Sequence, residues 1–306
     1  MTNSVAATFD LLGDRLTLTI LRHAFVDHAR RFTQWAERTG APPAVLTARL
    51  AALVDSGVLE RADGPEYRLT ERGLGTWEIL VCVWSWQREW TAEWAVLPEF
   101  LHTGCGHRGP PVLMCRGCGR DVTTHDTEVE LDPDALWQLT SGRRRSGRTG
   151  VPAGGDARFD EIMEAIGDRW SAAVTGLALA GVRRFSDFRA ALDMSPTTLT
   201  ERLTRLVEAG VLERSGDGSR DYRLTPRGRA LFGVFAFLLA WSAHAHPDAP
   251  EPGLRIRHKE CGAVLVPALR CRGCDAVLGR RDVRFEPSGG ARKAAPGGLS
   301  ALDSFH

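Results

Sequence analysis

Apolar positions at helical spacing predict three consecutive helices in the second half of the chain. The first covers residues 159–179, and its apolar face is formed by Ile162, Ile166, Trp170 and Val174. The second covers 185–192. The third begins at Ser195-Pro196, because Ser caps a helix and Pro fits its first turn, and it ends before Gly210. Its apolar face is formed by Leu199, Leu203, Leu206 and Val207. The last two helices, joined by a tight turn, form a helix-turn-helix.

Two short strands and a long apolar helix follow this helix-turn-helix. The strands, 211–214 and 221–224, flank a loop whose Gly and Asp residues are typical of a hairpin. This hairpin is the wing of a winged helix. Thr225 and Pro226 then provide the cap and first-turn proline of a helix that continues to Trp241.

The same order of segments occurs in the first half of the chain. LTARLAALVDSGVLER at 46–61 matches LTERLTRLVEAGVLER at 199–214, and YRLTERG at 67–73 matches YRLTPRG at 222–228. The offset stays between 153 and 155 residues, so the two halves are collinear. The sequence therefore predicts an internal duplication, with one winged helix in each copy.

The succession IGDRW, RRFSDFR, SPTTLTERLTRLVEAGVLER and YRLTPRG resembles that of the HxlR-type winged helix-turn-helix transcription regulators. The resemblance implies a DNA-binding regulator, commonly a repressor, and usually a homodimer that pairs through its first and last helices. Some members of the family sense thiol oxidation through a Cys in front of the first helix. Neither copy has a Cys there, so that mode of sensing is not expected.

The third helix of the second copy is the candidate DNA-reading element, because the second helix of a helix-turn-helix enters the major groove. Its polar face and cap carry hydroxyl, carboxylate and guanidinium groups, which can contact phosphates or bases: Ser195, Thr197, Thr198, Glu201, Thr204 and Arg205, with Arg202 at the border. On the wing, Arg220 and Arg223 are candidates for phosphate or minor-groove contacts. An ordinary solvated face is the other interpretation.

The first copy has an apolar surface at the equivalent helix. Its residues are Ala44, Val45, Ala48, Ala51 and Ala52, with Thr47 and Arg49 at the side. The hydroxyl cap is replaced by Pro42. These side chains offer almost no hydrogen bonds, so we expect this copy to have lost sequence-specific readout. It would act as a pairing partner or bury this face against protein.

The helices after the two wings are rich in large apolar residues. They are Trp77, Leu80, Val81, Trp84, Trp90 and Trp94 in the first copy, and Phe232, Phe235, Leu239 and Trp241 in the second. One small domain cannot bury so many aromatic residues on one helix, so we expect the copies to pair within the chain. The alternative is that each helix fills its own core. Dimerisation of whole chains stays open.

Six of the seven cysteines follow one spacing that occurs twice. It is His102-x2-Cys105-x9-Cys115-x2-Cys118 in the first copy and His258-x2-Cys261-x9-Cys271-x2-Cys274 in the second. Two short turns that each deliver soft ligands are typical of a structural zinc site, so we expect one Cys3His zinc site in each copy. Iron or an iron–sulfur cluster, His107 in place of His102, and zinc-responsive regulation remain alternatives. Cys82 is expected to be an inert core thiol.

The predicted fold class is mainly α with small β wings (α+β). The predicted boundaries are 7–95 and 158–245 for the winged helices, 96–140 and 246–286 for zinc-ribbon-like segments, 141–157 for a flexible linker and 287–306 for a disordered tail. The net charge of +1 does not indicate nucleic acid, so any basic surface must be local. With 43% hydrophobic and 25% charged residues, the chain is not predicted to be disordered as a whole.

The remaining features place the protein among cytoplasmic, nucleoid-associated regulators. The N-terminus lacks the pattern of a signal peptide, and the apolar run 230–240 is too short to span a membrane. No phosphate loop, nucleophile with base or open metal site is visible, so an enzyme is not expected. A regulator that binds double-stranded DNA is the first hypothesis, and an adaptor of the transcription machinery is the alternative. The sequence does not identify an effector.

Overall fold

The computed structural model describes residues 4–62, 64–91, 97–131, 159–215, 221–246 and 254–287. The linker predicted at 141–157, all but the first residue of the tail predicted at 287–306, Trp94 and Arg220 lie outside the described residues. Within the described ranges the protein has helices joined to small antiparallel sheets, as the predicted fold class requires.

The first copy is a winged helix. Its elements are α1 (Ser4–Leu12), α2 (Arg15–Val26), α3 (Phe32–Thr39), α4 (Pro43–Asp55), β1 (Leu59–Arg61), β2 (Tyr67–Leu69), α5 (Glu71–Leu74) and α6 (Trp77–Trp90). Helices α3 and α4 form the helix-turn-helix, and β1 pairs with β2 as the wing. Pro42 caps α4 without a side-chain hydrogen bond, as predicted from the missing hydroxyl.

The second copy repeats this order. Its elements are α7 (Asp160–Ile166), α8 (Arg169–Leu179), α9 (Phe185–Leu192), α10 (Pro196–Glu208), β6 (Leu212–Arg214), β7 (Tyr222–Leu224), α11 (Pro226–Arg229) and α12 (Phe232–Ala245). The single helix predicted over 159–179 is two helices. Asp168 interrupts it, because its carboxylate accepts hydrogen bonds from the N–H groups of Trp170 and Ser171 and so caps a new helix.

The segments after the winged helices are interlocked. The first contains β3 (Glu99–His102), β4 (Val112–Cys115) and β5 (Thr127–Leu131), and the second contains β8 (Leu254–His258), β9 (Pro267–Arg270) and β10 (Val283–Glu286). The pairs are β3 with β10, β4 with β9 and β5 with β8, all antiparallel. The sequence predicts two independent segments, whereas each of these sheets takes one strand from each segment. Pairing across the segments satisfies the backbone groups of strands that would otherwise be edges.

The two copies pack together through α6 and α12 in a symmetric arrangement. The indole N–H of Trp86 donates to the carbonyl of Arg227 at 3.0 Å, and the indole of Trp241 donates to the carbonyl of Arg72 at 2.9 Å. Each residue of one bond lies 155 positions from its counterpart in the other. Near the crossing, a Cβ on Gly233 would lie 3.2 Å from the Cys82 sulfur, so glycine permits the close approach. Pairing within one chain, which the sequence predicts, is confirmed.

The helical stretch Pro226–Ala245 is long and apolar enough to cross a membrane. The sequence predicts a run too short to cross a membrane, because its apolar run covers only residues 230–240. The helical stretch in the structure is longer, at 20 residues. In the structure 61% of the most apolar part of this stretch is buried inside the protein. Its apolar character is therefore explained by packing between the copies.

Candidate metal centres and DNA interface

The eight predicted metal ligands form two Cys3His clusters with exchanged membership. One cluster contains His102, Cys105, Cys271 and Cys274, and the other contains Cys115, Cys118, His258 and Cys261. In each cluster the ligand atoms lie within 4.8 Å of one another. The sequence predicts that each copy supplies all four ligands of its own site, and this is wrong. The strand pairs between the segments bring the His-x2-Cys turn of one copy beside the Cys-x2-Cys turn of the other.

The spacing of the ligand atoms fits a tetrahedral ion. In the first cluster, His102 Nδ1 lies 3.1 Å from Cys105 Sγ and 3.5 Å from Cys274 Sγ, and Cys105 and Cys271 are 3.6 Å apart. In the second, His258 Nδ1 lies 3.3 Å from two cysteine sulfurs. Bonds of about 2.3 Å from zinc to sulfur and about 2.0 Å to nitrogen separate tetrahedral ligands by about 3.5–3.8 Å. The donor sets therefore fit zinc in size and chemistry.

The Cys-x2-Cys turns stabilise the thiolate of their first cysteine, the form that binds metal. Burial raises the pKa of Cys271, but hydrogen bonds from the N–H groups of Gly273 and Cys274 and from the thiols of Cys105 and Cys274 outweigh it and lower the pKa to about 7. In the other cluster burial likewise raises the pKa of Cys115, and the N–H groups of the following turn residues lower it below the usual value of a thiol. The two clusters thus share one chemical design.

The structure places His102, and not His107, in the first cluster. His107 packs instead on the opposing turn, where a Cβ on Gly273 would lie 2.8 Å from its side chain. This close approach requires glycine at 273. Both cluster histidines are buried, and each cluster has one buried and two exposed cysteines. Cys82 is not in either cluster, and burial raises the pKa of its thiol well above the usual range, as expected of an inert core residue.

The candidate DNA-reading helix α10 presents the predicted polar face. Leu199, Leu203 and Leu206 are fully buried beneath it. Four of the predicted contact residues are exposed: Ser195, Thr197, Glu201 and Arg205. Thr198 and Thr204 are half-buried. Ser195 also caps the helix, because its hydroxyl accepts from the Thr198 N–H at 3.2 Å. On the wing, Arg223 is exposed and lies opposite Glu213 across the strand pair.

Arg202 has a structural partner rather than a free guanidinium. Its Nη1 lies 2.9 Å from the carboxylate of Asp168, the residue that caps α8. The first copy has the same arrangement, with Arg49 2.7 Å from Asp14 at the start of α2. The bond therefore joins the second helix of each helix-turn-helix to a capped helix of the same domain. Arg202 is half-buried in this ion pair, whereas Arg205 on the same helix is exposed. The repeated Gly-Asp-Arg sequence in front of each capped helix was the signal that could have revealed this role.

The equivalent face of α4 is apolar and exposed. Its exposed residues are Ala44, Val45, Thr47, Ala48 and Ala51, and Val45 has 38% of its surface accessible. The sequence leaves open that this face is buried against protein, but within the described part of the chain it is not covered. The two copies therefore present opposite chemistry on equivalent helices of one scaffold.

Comparison with known proteins identifies the scaffold. The sequence pattern of the HxlR-like helix-turn-helix family matches residues 11–94 and 165–249, which together exceed half of the chain. The chain belongs to the HxlR-like helix-turn-helix family. It is therefore a DNA-binding transcriptional regulator of HxlR type, in a family of regulators rather than enzymes, and its two matches confirm the tandem duplication.

The relatives correspond to one copy of the duplication. The chain is 36% identical over 132 residues to an uncharacterized HTH-type transcriptional regulator of Mycobacterium bovis, and the match covers 42% of this chain and 84% of the relative. It is 32% identical over 90 residues to the uncharacterized HTH-type transcriptional regulator YvaP of Bacillus subtilis, covering 28% of this chain and 83% of the relative. Each of these relatives therefore matches less than half of the present chain.

Solved structures of candidate transcription factors are also similar. One, named PA1607, is 31% identical and covers 45% of this chain and 96% of its own, with a TM-score of 0.33. Another, PA1374 from Pseudomonas aeruginosa, is 30% identical and covers 46% of this chain and 92% of its own, with a TM-score of 0.27.

Proposed function

We propose that this regulator is a repressor that reads promoter DNA mainly through α10, with the first copy as its pairing partner. The observation that carries this proposal is the contrast between α10 and α4. Thr197, Glu201 and Arg205 of α10 offer a hydroxyl, a carboxylate and a guanidinium to solvent, and the equivalent side chains of α4 are alanines. Hydrogen bonds to base edges need such groups, whereas alanine can only touch a thymine methyl.

The packing of the two copies supports a fixed arrangement of the reading helix. The tryptophan bonds from α6 to α11 and from α12 to α5 join the two copies in a symmetric way. The winged helix of the first copy would then add contacts with the phosphate backbone, which need no particular base sequence. Arg223 on the wing of the second copy is available for such contacts.

We also propose that each Cys3His cluster binds one structural zinc ion. All four ligands are protein groups, so no position remains for a reacting water. Since each cluster takes two ligands from each segment, zinc would join the two halves of the chain. The buried Nε2 of His258 has no hydrogen-bond partner within the described residues.

A regulator that binds promoter DNA works in the compartment that holds the chromosome, so we propose that this protein is cytoplasmic and nucleoid-associated. The adaptor hypothesis finds no support, because the chain's relatives are HTH-type transcriptional regulators.

Selection of genomic fragments by the purified, zinc-loaded protein at physiological salt tests the DNA-reading proposal. We expect enrichment of one motif, and we expect Glu201→Ala and Arg205→Ala to change its sequence or reduce its affinity by about tenfold per lost base contact. Thr47→Ala on α4 is the matched control and should leave the motif unchanged. A reversed pattern, or no enriched motif, would contradict the proposal.

The symmetry of the enriched motif shows whether one chain or two chains bind the DNA. A single asymmetric half-site means that one chain reads DNA with α10 alone, whereas a palindrome means that two chains pair. The repressor role is tested by a reporter gene behind a promoter that carries the motif. Expression should rise when the regulator is deleted and fall again when it is restored.

A further inference from the structure

A cavity of about 490 Å³ lies between the first winged helix and the second interlocked segment. Its walls come from α2, α6 and β10, together with Phe159 at the start of α7. This volume is within the range of pockets that hold small molecules, roughly 300–1,000 Å³. It is separate from the metal clusters and from α10.

The duplication provides an internal comparison for this cavity. The place that the duplication makes equivalent lies among α1, α8, α12, β5 and β8, and its cavity has only about 50 Å³. There Phe9 and Phe235 fill the space, with ring centroids 5.8 Å apart. Their counterparts are the smaller Met163, which does not line the large cavity, and Leu80, which does. The large volume is therefore present at only one of the two equivalent places.

The large cavity is also cationic. Arg22, Arg280 and Arg284 line it, and no Asp or Glu is among the described residues of its wall. Their counterparts in the duplicated sequence are Gly176, Thr124 and Glu128. The small cavity is lined by apolar residues and Gly176. Of the two equivalent places, one thus has both more space and more positive charge.

The apolar part of the wall is aromatic. Trp77, Trp84 and Phe285 line the cavity, and Trp84 and Phe285 meet edge to face with centroids 5.7 Å apart. Their counterparts at the small cavity are Phe232, Leu239 and Val129. Flat aromatic walls favour a planar aromatic ligand, and guanidinium groups favour a carboxylate or a similar anion.

We propose that this cavity is a binding site for a planar aromatic carboxylate or a similar aromatic anion. The aromatic part lies against Trp84 and Phe285, and the anionic group faces Arg280 and Arg284. This site is independent of which helix reads DNA, so it can be tested without DNA.

Fluorescence titration of the full-length, zinc-loaded protein tests the site. The probe is 8-anilinonaphthalene-1-sulfonate, an aromatic anion, and N-phenyl-1-naphthylamine serves as the neutral probe of the same ring system. We expect the anion to bind with a stoichiometry of one per chain and at least tenfold more tightly than the neutral probe. The double variant Arg280→Gln and Arg284→Gln should weaken the anion about tenfold or more, because it removes charged hydrogen-bond donors.

Two further variants locate the probe. Leu80→Phe introduces the phenylalanine that the duplication has at position 235, and it should weaken binding because the larger side chain narrows the cavity. Arg281→Gln changes an exposed arginine that does not line the cavity, so it is the matched control and should bind as the wild type does. Thermal unfolding of each variant shows that the fold is kept.

Three outcomes would overturn the proposal. The first is no binding of the anionic probe. The second is binding that Leu80→Phe and the double arginine variant both leave unchanged, since the probe would then lie elsewhere. The third is equal affinity for the neutral probe, which would refute the anionic class of ligand. Benzoate and naphthoate then serve as competitors, and displacement of the probe by these carboxylates supports the class.

Discussion

The exchanged membership of the metal clusters can be tested by counting zinc ions in two double variants. Cys105→Ala with Cys271→Ala removes two ligands from one cluster and leaves the other complete. Cys105→Ala with Cys115→Ala removes one ligand from each cluster. Both variants lose the same number of thiols, so each is the matched control of the other.

The expected zinc content follows directly from the cluster membership. The wild type should retain two zinc ions per chain after challenge with a chelator, because it has two complete clusters. The variant lacking Cys105 and Cys271 should retain one. The variant lacking Cys105 and Cys115 should retain none that is tightly bound, since neither cluster keeps its four ligands. Metal analysis by mass spectrometry measures the content.

The opposite order would refute the exchange. If each copy held its own four ligands, removal of Cys105 and Cys115 would spare one site, and removal of Cys105 and Cys271 would damage both. The structure also predicts that zinc raises the stability of the folded protein.

Cys105 and Cys271 are separated by 166 positions, so an ion bound between them closes a long loop and restricts the unfolded chain. Loss of either zinc should therefore lower the unfolding temperature of both halves together.

Three other predictions concern single residues. Arg202→Ala should destabilise the second copy by about 1–2 kcal/mol in urea unfolding, because it leaves the half-buried carboxylate of Asp168 without its charged partner. Arg205 is exposed, so Arg205→Ala should change stability by less than about 0.5 kcal/mol. Equal effects would contradict this role. Trp241→Phe should lower the free energy of unfolding by about 1 kcal/mol, because it removes one hydrogen bond between the copies and keeps an aromatic ring. An unchanged free energy of unfolding would show that this bond does not stabilise the pairing of the copies. Burial raises the pKa of Glu78 to about 7. A raised acid pKa means that the folded protein binds more protons than the unfolded chain, so stability should fall by as much as about 3 kcal/mol as pH rises from 4.5 to 7, and Glu78→Gln should abolish this dependence.

Most of the local structure could be predicted from the sequence because it depends on neighbouring residues. The Ser195-Pro196 start of α10 and its leucine face appear in the structure as the pattern indicates. The break at Asp168 was missed, because the apolar spacing continues across it and only the carboxylate interrupts the helix. The role of Arg202 was missed for a related reason. Its partner is 34 residues away, and helical spacing does not report such contacts.

The ligand exchange could not be predicted, because both copies carry the same spacing. A His-x2-Cys turn fits the Cys-x2-Cys turn of its own copy and that of the other copy equally well in sequence. The choice is made by strand pairing: β3 pairs with β10, and β4 pairs with β9. A duplicated metal motif therefore predicts the ligands and their number, but not their grouping.

The fusion of two copies explains why they differ. In a symmetric pair of identical chains, every substitution occurs twice, so a change that helps one surface also alters the equivalent surface. In this chain each half can change alone while the shared packing is kept. The paired tryptophan bonds of Trp86 and Trp241 and the two interlocked clusters preserve the symmetric frame. Within that frame α10 keeps a polar exposed face and α4 carries alanines, whereas the cavity beside α6 is large and cationic and the one beside α12 is small and apolar. The polar reading face thus lies on one copy alone, whereas the large cavity takes walls from both halves, with Arg22, Trp77 and Trp84 from the first and Arg280, Arg284 and Phe285 from the second. A molecule in that cavity would therefore contact both halves of the chain.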